Sequence, residues 1–338
     1  MKTKVLFGLI IIWTFALIML GAYVRLSDAG LGCPDWPGCY GQLTAPDEAH
    51  EIELAQQRFA GEVESIKGWI EMSHRYAAGI LGLLVLVLSF TLFAQRERFA
   101  VPWWFIVLPV SVIVFQALLG MWTVTLKLMP AVVTAHLLGG MTLLAVLLAL
   151  FARCFTQPHA ILSGLRPWFF AALVAVFAQI MLGAWVSTNY AGLACNDFPL
   201  CQGQLSPPQG LMAAMRPDRD LGRDVSGVLL TVDHLAAIHW LHRVGAVLVL
   251  CVLGGLISKL RTLMPSLALA LGAALLLQVG LGIANVLAAL PLWLAVAHNG
   301  GAALLLSVLV YGYALLPRAI ERPSLASTLP ANMVRSPL

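Results

Sequence analysis

The sequence predicts an all-α integral membrane protein whose eight transmembrane helices form two repeated four-helix bundles. Three observations carry this prediction. Apolar residues make up 60% of the 338 positions and charged residues only 11%, less than half the charged share of an ordinary soluble domain. The runs 5–24, 76–94, 99–126, 128–152, 167–190 and 262–317 contain no Lys, Arg, Asp or Glu, and each is long enough to cross a bilayer, which takes roughly 20 apolar residues. Finally, a segment near the N-terminus recurs in the second half of the chain. The same composition excludes disorder, a coiled coil and a small disulfide scaffold. A net charge of +4 with no dense basic cluster excludes a nucleic-acid partner.

The first span, 5–24, follows Lys2 and Lys4. A basic start before an apolar stretch also opens a secretory signal peptide, but no small-x-small cleavage site follows it convincingly, and the repeat requires this segment as a retained helix. The next spans are 69–94, 102–126, 130–152 and 167–190. A sixth, 238–258, carries its polar residues His239, His242 and Arg243 near one end. The final run of 56 residues, 262–317, would make a helix of roughly 84 Å at 1.5 Å per residue, against a hydrocarbon core of about 30 Å. It must fold back, and the turn is expected at Ala288-Ala289-Leu290-Pro291 because proline opens a helix better than it continues one. That gives 265–288 and 291–315. Lipid offers nothing to unpaired backbone groups and no strand alternation is visible, so bundled helices are the expected solution.

Charge sets the orientation. With the N-terminus in the cytoplasm, that side receives 11 basic and 2 acidic residues and the other side 9 and 14, a split of +9 against −5. The positive-inside rule favours this arrangement. Both termini are then cytoplasmic, and two long loops, 25–68 and 191–237, face outward. With no Arg-rich, Ser-rich transit peptide at the start, a bacterial inner membrane is the expected location. The polar, Pro-containing tail, 317–338, has no assigned role.

Placing 18–43 over 180–205 gives 16 identities in 26 positions without a gap, where composition alone would give roughly two or three. The same offset of 162 pairs Gln116 with Gln278, Gly120 with Gly282 and His136 with His298. An offset of 168 pairs His74-Arg75 with His242-Arg243. The expected organisation is an N-terminal half, 1–152, a cytoplasmic linker, 153–167, and a C-terminal half, 168–316. Four helices per half put both copies in the membrane in the same sense.

Of eight histidines, only His74, His136, His242 and His298 obey the repeat. All lie near the outer ends of even-numbered spans. Two imidazoles at matching depth on facing helices supply opposed axial nitrogens to a flat macrocycle, which is how bundles commonly hold heme. Heme is favoured over zinc or copper because no third or fourth ligand repeats with them. His239 stands three residues before His242 and competes with it; the alignment favours His242. His50, His159 and His234 fall in loops or at the end of one. Arg75 and Arg243 follow the ligand candidates directly, either to pair with heme propionates or to snorkel to the interface.

Cys33 and Cys39 recur as Cys195 and Cys201, each pair in an outward loop containing Pro. On an oxidising face such a pair reads as a disulfide, serving either as a loop staple or in redox exchange with a partner. Cys154 and Cys251 read as unpaired packing residues. Glu71 stands one turn before His74 on the same helix face, and His239 occupies the matching place in the second half. An acid at a helix start gains from the dipole, but an acid at the membrane boundary beside a ligand histidine is costly to keep and usually functional. The asymmetry suggests that one half does chemistry and the other holds a permanent cofactor. A di-heme cytochrome b-type electron carrier and a membrane thiol-disulfide oxidoreductase remain open on these residues alone.

The segment GAYVRLSDAGLGCPDWPGCYGQL with its diverged copy, Glu71-x-x-His74-Arg75, His136, His242-Arg243 and His298 together resemble the heme A synthase family over about residues 8 to 315. The resemblance implies an integral membrane oxidoreductase that converts a methyl group of heme O into the formyl group of heme A, through an alcohol intermediate, for cytochrome oxidase assembly. It implies that His74 and His136 bind the substrate heme through iron, that His242 and His298 bind a cofactor heme b, and that Glu71 is the catalytic carboxylate. Membrane lipid, heme O synthase and a redox partner accepting electrons are the further partners it implies.

Overall fold

The computed structural model describes residues 2–59, 61–206 and 208–317; the tail from residue 318 onward lies outside the described residues. Eight helices are long and apolar enough to span a membrane. They are α1 (Lys2–Leu26), α2 (Ser65–Ala94), α3 (Trp103–Thr125), α4 (Pro130–Phe155), α5 (Arg166–Thr188), α6 (Val232–Leu263), α7 (Pro265–Leu287) and α8 (Leu292–Ala314). No β-strand occurs among the described residues.

The boundaries follow from local chemistry. Pro130 and Pro265 open α4 and α7, where a missing N–H costs nothing. Sequence hydropathy places the sixth span at 238–258, but α6 runs for 32 residues. Thr231 and His234 cap its first turn reciprocally, and the polar residues beyond each end of the apolar window continue as helix. The reversal between α7 and α8 falls at the expected place: Ala289 and Leu290 both have positive φ, and the Leu290 N–H reaches back to the Asn285 carbonyl at 2.8 Å. The α3–α4 reversal uses the same device at Lys127 and Leu128, with Leu128 N–H donating to Thr123 O at 2.8 Å.

Helix α1 packs on α2 and α4, and α3 on α2 and α4; α5 packs on α6 and α8, and α7 on α6 and α8. The two rings of four meet through α1, α4, α5 and α8. Apolar clusters fill the end of each ring away from the long loops. One is built around Phe7, Val85, Leu88, Leu147 and Leu150, the other around Phe169, Leu253, Leu256, Leu271 and Leu309. Burying such side chains is worth about 1.5–3 kcal/mol each relative to water, but within lipid close packing takes over that role.

At the loop-bearing end the rings are clasped by polar contacts. Arg25 of α1 donates through Nη2 to the Ser187 carbonyl at 2.9 Å, and its guanidinium lies 3.9 Å from the Tyr190 ring centroid. The Tyr190 hydroxyl in turn donates to Asp28 at 2.6 Å.

Candidate functional site

Both long loops begin with the same small knot. Cys33 is bonded to Cys39 and Cys195 to Cys201. Within each knot an aspartate accepts two main-chain N–H groups: Asp35 from Tyr40 and Gly41, both at 2.7 Å, and Asp197 from Gln202 and Gly203, both at 2.8 Å. The turn they brace has two consecutive positive-φ residues, Tyr40-Gly41 and Gln202-Gly203, a backbone that only a short, tight reversal requires. Asp197 lies outside the membrane spans, and the Gly203 N–H, followed by that of Gln202, holds its carboxyl below the usual aspartate range.

Each knot is pinned to the helix behind it by an arginine. Arg75 donates through Nη1 to the carbonyls of Asp35 and Gly38, and Arg243 donates to those of Asp197, Leu200 and Cys195. The two arginines, expected from sequence as propionate partners or snorkelling groups, thus turn donors to loop carbonyls, and Arg75 turns its Nη2 to Glu71.

Glu71 is 5% exposed and is held on both oxygens. Its Oε1 lies 2.6 Å from Arg75 Nη2, and its Oε2 accepts the Cys33 main-chain N–H at 2.9 Å. The first loop approaches α2 so closely here that a Cβ on Gly32 would stand 2.5 Å from the Lys67 carbonyl carbon. In the second half His239 occupies the corresponding place, 6% exposed, with no hydrogen-bond partner for its Nδ1.

The four repeat-related histidines come together two by two. The ring centroids of His74 and His136 are 6.5 Å apart at 78° between planes, and those of His242 and His298 are 6.5 Å apart at 81°. Each ring faces a glycine of the preceding odd-numbered helix. A Cβ at Gly21, Gly183 or Gly282 would stand 3.0 Å from Cε1 of His74, His242 or His298, and one at Gly120 3.5 Å from that of His136. The Nδ1 atoms of His74, His136 and His298 are buried without a hydrogen-bond partner. Buried polar atoms are normally paired, so these are rings with donor or ligand capacity in reserve. No group of three or more His, Cys, Asp or Glu side chains able to hold a metal ion occurs among the described residues.

Two features were not singled out from sequence. Gln179 sits beside His242 as Gln116 sits beside His136, and glycines at 139, 245 and 301 make room for the glutamine side chains. The signal was present: Gln-x-x-x-Gly occurs at 116–120, 179–183 and 278–282. Cys154 and Cys251 are outside both disulfides, as expected.

A family model described as cytochrome oxidase assembly protein, COX15-CtaA, matches residues 4–310. A heme A synthase of Shewanella oneidensis is 44% identical over 321 residues, covering 92% of this chain and 95% of the relative. Heme A synthases of Caulobacter vibrioides and Halalkalibacterium halodurans are each 30% identical. They cover 87% and 66% of this chain and 90% and 70% of their own lengths.

Proposed function

Because the chain belongs to the cytochrome oxidase assembly protein family, COX15-CtaA, we propose that it acts, like the relatives named above, as a heme A synthase. It is a membrane oxidoreductase that takes a methyl group of heme O through an alcohol to the formyl group of heme A, for cytochrome oxidase assembly. The observation that carries this reading is the pairing of four histidines two by two, with a buried acid beside only one pair.

Under this reading His74 and His136 hold the iron of the substrate heme, and His242 and His298 hold a resident heme b. The donor set fits the group. Each pair offers two facing imidazoles, with Nδ1 unpartnered on His74, His136 and His298 and in contact with Gln179 on His242, and a zinc site would need a third and fourth ligand. When bound, heme b supplies a one-electron redox centre next to the substrate half. The chain's own residues do the rest. Turning a methyl into an aldehyde adds one oxygen atom, at the oxidation level of water, and removes four electrons and four protons, the electrons passing to the redox partner. Glu71, one turn from His74, is the group placed to take and return protons at its carboxylate oxygens. Arg75 orients it, and the Cys33 N–H fixes its second oxygen. The knots are tied to the histidine-bearing helices by Arg75 and Arg243, whose charge complements a ligand carrying carboxylates.

The halves 1–152 and 168–316, joined by 153–167, are on this view duplicated units of which only the first kept an acid. The +9/−5 charge split supports cytoplasmic termini in a bacterial inner membrane. Heme O synthase as donor of substrate and a redox protein as acceptor of electrons are the partners this activity requires. Pigment extracted from the purified protein and separated by chromatography tests the reading: heme b together with heme O or heme A is expected. Heme b alone at both sites would leave a di-heme electron carrier instead.

A further inference from the structure

Three of the four histidines have a glutamine beside them, and the fourth does not. Gln116 donates through Nε2 to the His136 carbonyl at 2.8 Å. Gln179 Nε2 donates to the His242 carbonyl at 2.9 Å and lies 3.0 Å from that ring's Nδ1. Gln278 Nε2 is 3.4 Å from His298 Nε2. Each glutamine is one turn before the glycine that touches the same ring, so both share the helix face turned to the histidine. Each carboxamide also lies over a glycine three residues past the histidine, Gly139, Gly245 or Gly301, where a Cβ would collide with it.

All three amide oxygens, Oε1 of Gln116, Gln179 and Gln278, are buried with no donor. An unsatisfied buried acceptor costs about 1–3 kcal/mol, so stability alone gives no reason for three polar side chains at these sites. At the fourth position the repeat places Leu17 and Ala77 where the others have glutamine and glycine. Leu17 packs with the apolar cluster of the first ring, and the Ala77 carbonyl is taken by Trp13 Nε1 at 3.0 Å.

We propose that Gln116, Gln179 and Gln278 are positioning residues that lock three of the four heme ligands, and that the lack of a glutamine at His74 makes it the exchangeable ligand through which substrate heme enters and product heme leaves. This rests on the ligation reading above. Both ligands of the resident heme are locked; the single unlocked ligand is on the substrate side, next to Glu71. The hold runs through the helix main chain at His136 and His242, whose carbonyls the amides take, and through contact with the ring at His298; losing an outer-shell partner of a ligating imidazole typically costs 10- to 100-fold in affinity.

The test uses the full-length protein purified with its heme b. Gln179→Met and Gln278→Met keep volume and remove the amide. Transfer of heme b to apomyoglobin is expected to quicken about 10- to 100-fold, with a broadened low-spin heme signal in electron paramagnetic resonance, a signature that a packing defect elsewhere would not produce. The reciprocal Leu17→Gln/Ala77→Gly variant should slow release of heme from the first pair while heme b release stays unchanged, and it decides the matter even where a methionine variant does not accumulate. Wild-type release and spectra in the methionine variants, or unchanged release in the reciprocal one, overturn the positioning role. His242→Ala, run alongside, separates the two ideas. If it loses heme b while the methionine variants behave as wild type, only the positioning role falls; if it keeps heme b in full, the ligation reading falls and takes the positioning role with it.

Discussion

The main-chain N–H of Cys33 donates to Oε2 of Glu71 at 2.9 Å, across 38 residues of sequence. A half-cystine of the first knot is thereby in direct contact with the acid of the first histidine pair. The second pair has no such link, because His239 stands in the place of the acid. A buried acid and a loop half-cystine meet in this way in the first half only.

Glu71→Gln keeps the side-chain volume and an acceptor for Cys33 but abolishes the charge facing Arg75. The variant should insert and retain heme b, with turnover down by about 10²–10⁴, the usual contribution of general acid-base catalysis. Heme O or its alcohol should accumulate in membranes at matched protein level. Near-normal heme A there would leave Glu71 with a purely structural part.

His242→Ala or His298→Ala should strip the tightly bound heme b, whereas His74→Ala or His136→Ala should keep it and block conversion. Absorbance spectra of the purified variants read the outcome, and the opposite pattern would reverse the assignment of the two halves.

A periplasmic reporter should be inactive when fused after Arg98 and active when fused within 191–237. An active fusion after Arg98 is incompatible with cytoplasmic termini.

Cys33→Ala removes the bridge to Cys39 but leaves the N–H that Glu71 uses. Yield and heme loading should therefore fall more than turnover per loaded protein. Unchanged yield with abolished activity would move the disulfide from staple to redox participant.

In the second knot, Asp197 has its carboxyl held below the ordinary value of about 3.9 by the N–H groups of Gly203 and Gln202. Because the folded value is the lower one, the tie contributes above pH 4 and is lost as pH falls through the folded value. Asp197→Ala should remove it at every pH. At neutral pH the Cys195–Cys201 bridge of that variant should be reduced several-fold faster by an impermeant phosphine, scored by thiol labelling; equal rates would show that the aspartate does not brace the knot.

Much of this was legible in the sequence because lipid is an unforgiving solvent. Charge-free runs point to seven of the eight helices, the apolar stretch around Arg243 supplies the other, and Pro291 with its preceding residues marks the last reversal. Helix ends were less legible. Residues 232–237 of α6 include Asp233 and His234, which hydropathy assigns to a loop but which the Thr231 cap draws into the helix. The histidine pairs were visible because they repeat. The destinations of Arg75 and Arg243 were not, since nothing in sequence says which carbonyls a folded loop will turn toward a guanidinium. Gln179 is hidden for a different reason: a single neutral amide carries no charge and lowers the hydropathy of a long apolar run too little to interrupt it.

Gly32 adds one last consequence. Its counterpart in the second half, 162 residues on, is Ala194, so the two knots differ by a methyl group at the point where the first one presses on the Lys67 main chain. A chimera carrying the second knot in place of the first would bring that methyl against α2 and prise the Cys33 N–H off Glu71. Interchange of the two loops thus turns on the width of a single carbon atom.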